Sequence, residues 1–130
     1  MASIYTRIID GEIPARFVWT DEVCVAFLDI RPLNRGHVLV VPLEQTDEWT
    51  DLDPDTATHL MGVAHRIGRA QKVALSARRV GLMIAGFEVP HVHIHVVPID
   101  GMQHLDFTQA DPDPDPADLD QVAELIRTTL

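Results

Sequence analysis

Residues 90–98 read Pro90-His91-Val92-His93-Ile94-His95-Val96-Val97-Pro98. Polar and apolar residues alternate from 91 to 96, which is the period of a β-strand, whose side chains point to opposite faces in turn. His91, His93 and His95 therefore share one face, spread over about 13 Å at roughly 3.3 Å per residue. Val92, Ile94 and Val96 face the other way, into a core. Outward from this stretch, His37-Val38-Leu39-Val40-Val41, closed by Pro42, predicts a second buried strand, and Val80–Ala85 a third. Phe17–Thr20 and Val23–Ile30 are β-branched and aromatic runs separated by Asp21-Glu22, which predicts a hairpin.

Helices fill the remainder. Ile4/Ile8 and Tyr5/Ile9 fall four apart, and Asp10-Gly11-Glu12-Ile13-Pro14 supplies the stop. Asp53 can cap a helix and Pro54 suits its first position. From there Leu60, Val63, Ala64, Ile67, Ala70 and Ala74 form one apolar stripe, predicting a long helix over 54–78. Asp111-Pro112-Asp113-Pro114-Asp115-Pro116 predicts a stiff, solvated linker, because proline lacks a donor and like charges extend the chain. Ala117–Leu130 follows as an amphipathic helix with Leu119, Val122, Leu125 and Ile126 on one face. Strands and helices without strict βαβ alternation predict an α+β fold: a largely antiparallel sheet, one long helix and a C-terminal helix. Residues 1–109 read as one domain, and 110–130 as an acidic Asp-Pro linker with its helix.

The chain has 130 residues, with 10 Lys+Arg against 20 Asp+Glu, a net charge of −10. Residues 1–99 carry −3 of this and residues 100–130 carry −7. Such a balance argues against nucleic acid or an anionic membrane as a partner. The lone cysteine, Cys24, lies in the apolar run Val23–Leu28 and reads as a packed thiol, with no disulfide to suggest an oxidising compartment. The N-terminus shows no long apolar signal region, and no stretch approaches the roughly 20 apolar residues of a membrane helix. A cytoplasmic location is the expectation.

Three titratable rings on one strand face serve chemistry better than structure. One reading is a metal site: two histidines at i and i+2 can hold Zn²⁺, with His37 or an acid completing it. The other is phosphoryl or nucleotidyl transfer, in which a neutral imidazole attacks phosphorus and its neighbours, titrating near 6.5, hold phosphate oxygens or assist a leaving group.

The segment His91-Val92-His93-Ile94-His95-Val96-Val97 resembles the signature of the histidine-triad (HIT) superfamily. Ile8–Ala15, Ala26–Pro32 and Arg35–Pro42 resemble its N-terminal segment and central strands. The resemblance covers residues 3–98 and implies a small nucleotide-binding domain, usually a homodimer, that hydrolyses or transfers at the α-phosphate. Carried over by position, it makes His93 the nucleophile, with His91 and His95 flanking it and His37 in support. Asp29 becomes the partner of the ribose hydroxyls, and Ile4, Tyr5, Ile8, Phe27 and Ile30 the apolar pocket for the base. The implied partner is a purine nucleotide or nucleotide conjugate; no cofactor is implied. The implied activity is that of a phosphoramidase-like hydrolase or transferase, the alternative being a nucleotide-binding or interaction protein with little turnover.

Two departures stand out. Many relatives begin with Cys-x-x-Cys, which helps hold a structural zinc; here those positions are Ser3 and Thr6, so no zinc is expected. Before the triad, active relatives carry Gly-Gln-Ser/Thr, whereas this chain reads Gly86-Phe87-Glu88 in a shortened loop. An ionised Glu88 beside a phosphate would repel it unless protonated or turned away.

Overall fold

The computed structural model describes residues 1–130. Its elements run α1 (Ile4–Ile9), β1 (Phe17–Thr20), β2 (Cys24–Leu28), β3 (Val38–Pro42), α2 (Pro54–Leu75), β4 (Arg79–Met83), β5 (Ile94–Ile99) and α3 (Pro116–Thr129), with short 3-10 turns between some of them. The five strands form one sheet in the order β1-β2-β3-β5-β4, every pair antiparallel. The architecture is α+β, as the alternation and helical stripes predict.

Period-2 alternation divides the sheet into two faces. On one, Ala26, Leu28, Val38, Val40, Ile94 and Val96 pack against the α2 stripe of Leu60, Val63, Ala64, Ile67 and Ala70. Leu119, Val122, Ala123 and Ile126 of α3 enter the same core, so the C-terminal helix shares the hydrophobic centre of the preceding residues. Burying such side chains contributes about 1.5–3 kcal/mol each, enough to hold a helix that arrives on an exposed Asp-Pro segment. Leu125, expected on that face, is only half-buried, and Ala123 takes its place. The opposite face is covered at one end by α1, where Ile8 meets Val25, Phe27, Leu39 and Val41, and at the other by the segment after β5, where Leu105 packs over Gly81 and Phe107 over His95.

Local chemistry sets the ends of the elements. Ser3 caps α1, its Oγ accepting from Thr6 N–H. Asp53 caps α2 by accepting from Asp55 N–H. That helix ends three residues before the expected 78, because Ser76 turns to φ +53°. In the β1–β2 turn, Asp21 accepts from Val23 N–H, Cys24 N–H and Trp19 Nε1–H, and pairs with His59 of α2 at 2.7 Å. Burial alone would raise its carboxyl, but these hydrogen bonds hold it well below the usual carboxylate range. Cys24 is fully buried and its thiol is pushed up to about 12 by burial and by Asp21, the behaviour of a packed, unreactive group.

The strand expected from His91 starts only at Ile94. Pro90 offers no N–H, and His91 N–H bonds back to Val89 O at 2.8 Å rather than to a neighbouring strand. Val92 N–H reaches Thr46 O, so alternation persists without a ladder: Val92 joins the α2 core while His93 and His95 lie on the opposite face.

Candidate functional site

That face holds two adjoining features, a histidine cluster and an apolar pocket. His95 lies opposite Leu39 of β3 and Met83 of β4. His37, two residues ahead of Leu39, reaches the same face. The rings of His93 and His95 are 4.9 Å apart between centroids, those of His37 and His95 5.1 Å, and Tyr5 of α1 lies 5.0 Å from His93. All four histidines are buried.

Hydrogen bonds fix which nitrogen carries each proton. Carbonyl oxygens only accept, so His93 Nδ1–H donates to His91 O at 2.7 Å, leaving the lone pair on Nε2. Leu33 N–H donates to His37 Nδ1 at 3.0 Å, which places the proton of neutral His37 on Nε2. That proton goes to His95 Nδ1 at 2.9 Å. His95 is thereby left with Nε2–H, a buried donor that no protein atom accepts. An orphaned buried donor costs about 1–3 kcal/mol, a cost accepted where a ligand is to supply the partner. Burial, then repulsion from neighbouring histidines, lowers His37 to about 3 and His95 to about 4. Near neutral pH both rings are neutral.

His91 behaves differently. From the sequence it was expected to flank the reacting group and hold phosphate. Instead its Nε2–H donates to Pro42 O at 2.8 Å, and Ser3 Oγ lies 2.7 Å from Nδ1. Both nitrogens are committed to the protein, so His91 is a positioning residue whose carbonyl orients His93. With both nitrogens bonded, His91 is unavailable to a metal held by the His row. Asp29, His37 and His95 do lie together, but the facing nitrogens of the two histidines are spent on each other.

Beside the cluster is a pocket of about 390 Å³ lined by Ile4, Tyr5, Ile8, Phe27, Ile30 and Asp29, among others. The pocket brings together every apolar position that the sequence nominated, along with the acid. Asp29 accepts from Arg31 N–H at 2.8 Å, and burial raises its carboxyl above the usual range despite that bond. Glu88 Oε2 lies 3.9 Å from His93 Nε2, with about half of its side chain exposed. It is not turned away.

The family model for the HIT domain matches residues 10–102. The chain belongs to the HIT family. An uncharacterized HIT-like protein of Methanocaldococcus jannaschii is 37% identical over 99 residues, covering 73% of this chain and 77% of the relative. The adenosine 5'-monophosphoramidase of Saccharomyces cerevisiae is 34% identical over 98 residues, covering 75% of this chain and 62% of the enzyme. A zinc-bound histidine triad protein of Mycobacterium smegmatis superposes with a TM-score of 0.84 at 33% identity, over 99% of this chain and 93% of that one.

At Ser3 and Thr6, where the resemblance would put the Cys-x-x-Cys of a structural zinc, this HIT protein carries a different arrangement. Ser3 Oγ contacts His91; Ser3 N–H and Thr6 Oγ1–H both donate to Gln45 Oε1, at 2.9 and 3.1 Å. Two hydroxyls, an amide and one imidazole, with no thiolate or carboxylate, do not fit a zinc ion. They form instead a neutral hydrogen-bonded knot tying α1, the segment after β3 and the triad together. Gln45 was not singled out in the sequence, nor was Phe107, whose ring lies 5.0 Å from that of His95. Neither had a local signal: one is a polar residue among polar residues, the other an aromatic in a 3-10 turn.

Proposed function

We propose that this HIT protein hydrolyses or transfers nucleotides at the α-phosphate through a covalent His93–nucleotide intermediate, as a phosphoramidase-like enzyme. The observation that carries the reading is the tautomer pattern, a lone pair on His93 Nε2 beside an unpartnered donor on His95 Nε2. One is a nucleophile toward phosphorus; the other is a neutral donor placed for the oxygen charge that develops on attack. The name of the yeast relative supports the substrate class. The apolar pocket suits a purine base, as hydrophobic and aromatic walls commonly do for flat ligands, and Asp29 at its edge suits the ribose hydroxyls. His37 acts through His95 by fixing its tautomer, and His91 acts through its carbonyl on His93.

The second reading, nucleotide binding with little turnover, draws its support from the carboxylate of Glu88 close to the attacking nitrogen. Release of amine from a fluorogenic adenosine 5'-phosphoramidate separates the two. The hydrolase reading expects multiple turnovers by wild type and at least a thousandfold loss in His93→Ala, with AMP still bound by both. Stoichiometric binding without release favours the second reading.

A further inference from the structure

Gln71 is the one polar residue among the buried residues of α2, and it is fully buried. It follows Ile67 at helical spacing, where an apolar side chain would extend the stripe. Its Nε2–H groups donate to Gly36 O and to Val96 O, both at 2.9 Å. Carbonyl oxygens only accept, so the amide nitrogen must be the atom that faces them. The remaining atom, Oε1, is buried without a partner. Packing of helix on sheet does not by itself call for glutamine here, since a methionine would fill similar space without an orphaned oxygen.

The two carbonyls supply the reason. β3 and β5 pair through Val38↔Val96, Leu39↔His95 and Val40↔Ile94. Continued by two residues, that register sets Gly36 opposite Pro98, whose ring would lie 3.3 Å from a Cβ on Gly36. Proline has no N–H, so Pro98 cannot donate to Gly36 O. Gln71 supplies the missing donor from the helix layer. Asn34 Nδ2–H donates to Pro98 O at 3.0 Å, so two side-chain amides join the strands where backbone pairing ends. Gly36 comes this near α2 because it lacks a side chain: at φ +93° an added Cβ would run into Leu75.

The same joint carries the histidine relay on the other face of the sheet. Gly36 precedes His37 and Val96 follows His95. His37 Nε2–H reaches His95 Nδ1 at 2.9 Å, and the two rings stand on the two backbone segments that the amide ties. A hydrogen bond of that length is lost when its ends part by more than a few tenths of an ångström. Resting on the function proposed above, we propose that Gln71 is a positioning residue for the triad. It holds β3 and β5 at the spacing at which His37 fixes the His95 proton on Nε2, the donor aimed at the phosphoryl oxygens. Gln71 touches no ligand; it acts through His37, and His37 through His95. Setting register is the best attested use of a buried polar group.

Gln71→Met keeps the shape of the side chain and removes the amide. Gln71→Leu is the second variant if the first does not fold, with urea denaturation reporting on folding. One readout is the protonation of the His95 ring nitrogens by long-range 1H–15N NMR above pH 7. The other is kcat and KM on the adenosine 5'-phosphoramidate. Wild type is expected to show a single His95 tautomer with the proton on Nε2, and the variant a mixture with Nδ1–H. In the variant kcat should fall about ten- to a hundredfold, the scale of a 1 Å misplacement caused from a distance, and KM should change by less than about twofold. A variant that loses stability but keeps the single tautomer and the wild-type kcat overturns the proposal, leaving Gln71 a packing role alone. A loss carried by KM with the tautomer unchanged overturns it too. Wild type inert toward the phosphoramidate, with the tautomer shifting in the variant as expected, overturns the hydrolase reading and supports the clamp.

Discussion

His95 has one ring nitrogen in a closed chain, Leu33 N–H to His37 to His95, and the other buried without a protein partner. That asymmetry assigns the roles. Removing a donor aimed at developing oxyanion charge typically costs about 10²–10³ in kcat, so His95→Ala should fall by that amount with little change in KM. His37→Phe keeps the ring volume but releases His95 from its tautomer. It should lower kcat by a smaller factor, measured on the same phosphoramidate. Equal KM and kcat effects in either variant would place the residue in ground-state binding instead. Ser3→Ala leaves His91 Nδ1 with only the longer contact to Thr6 Oγ1 at 3.4 Å and removes the α1 cap, and should cost about 1–3 kcal/mol in urea denaturation. Insensitivity of stability to that change would remove the knot from the account of the site.

At the scale of elements, the strand alternation and the α2 stripe were legible because burial follows period directly: Val92, Ile94 and Val96 go inward wherever the strand begins. The helix caps at Ser3 and Asp53 follow from residue chemistry in the same way. What could not be read were destinations set by tertiary neighbours. Nothing between residues 3 and 91 announces that their side chains meet, and Gln45 joins them only because β3 ends beside the triad. The ring of His91 looked equivalent to its neighbours in sequence, yet Pro42 O captures it. The α2 end at Leu75 carries no glycine signal, since Ser76 itself adopts the left-handed turn. The α3 helix was legible as amphipathic, but not its docking into the α2 core. Ile126, fully buried there, should cost about 2–5 kcal/mol when replaced by alanine. A surface-like cost below 0.5 kcal/mol in equilibrium unfolding would contradict the shared core.

For the whole molecule, buried neutral histidines make stability depend on pH. His37 and His95 bind protons near 6.5 when unfolded, but only near 3 and 4 when folded. Between those limits the unfolded chain holds more protons, so stability must fall as pH drops below about 6.5, by up to roughly 1.4 kcal/mol per pH unit for each ring. Urea midpoints should therefore be level above pH 7 and decline steadily from pH 6.5 to pH 4.5; a flat profile over that range would contradict the neutral assignment. Assembly belongs to this scale as well. β4 forms an outer edge of the sheet with Leu82 and the following Ile84 exposed, and a homodimer is expected by light scattering at micromolar concentration, a monomeric mass counting against it. No helix of the structure is long and apolar enough to cross a membrane.

The central claim, covalent chemistry at His93 Nε2, is tested most directly by intact mass. Protein mixed rapidly with an adenosine 5'-phosphoramidate and quenched in alkaline denaturant should show a species heavier by one adenylyl group. Peptide mapping should locate it on His93, and it should be missing from His93→Ala. Rapid release of amine by wild type with no adduct on His93, or with the same adduct in His93→Ala, would contradict the account.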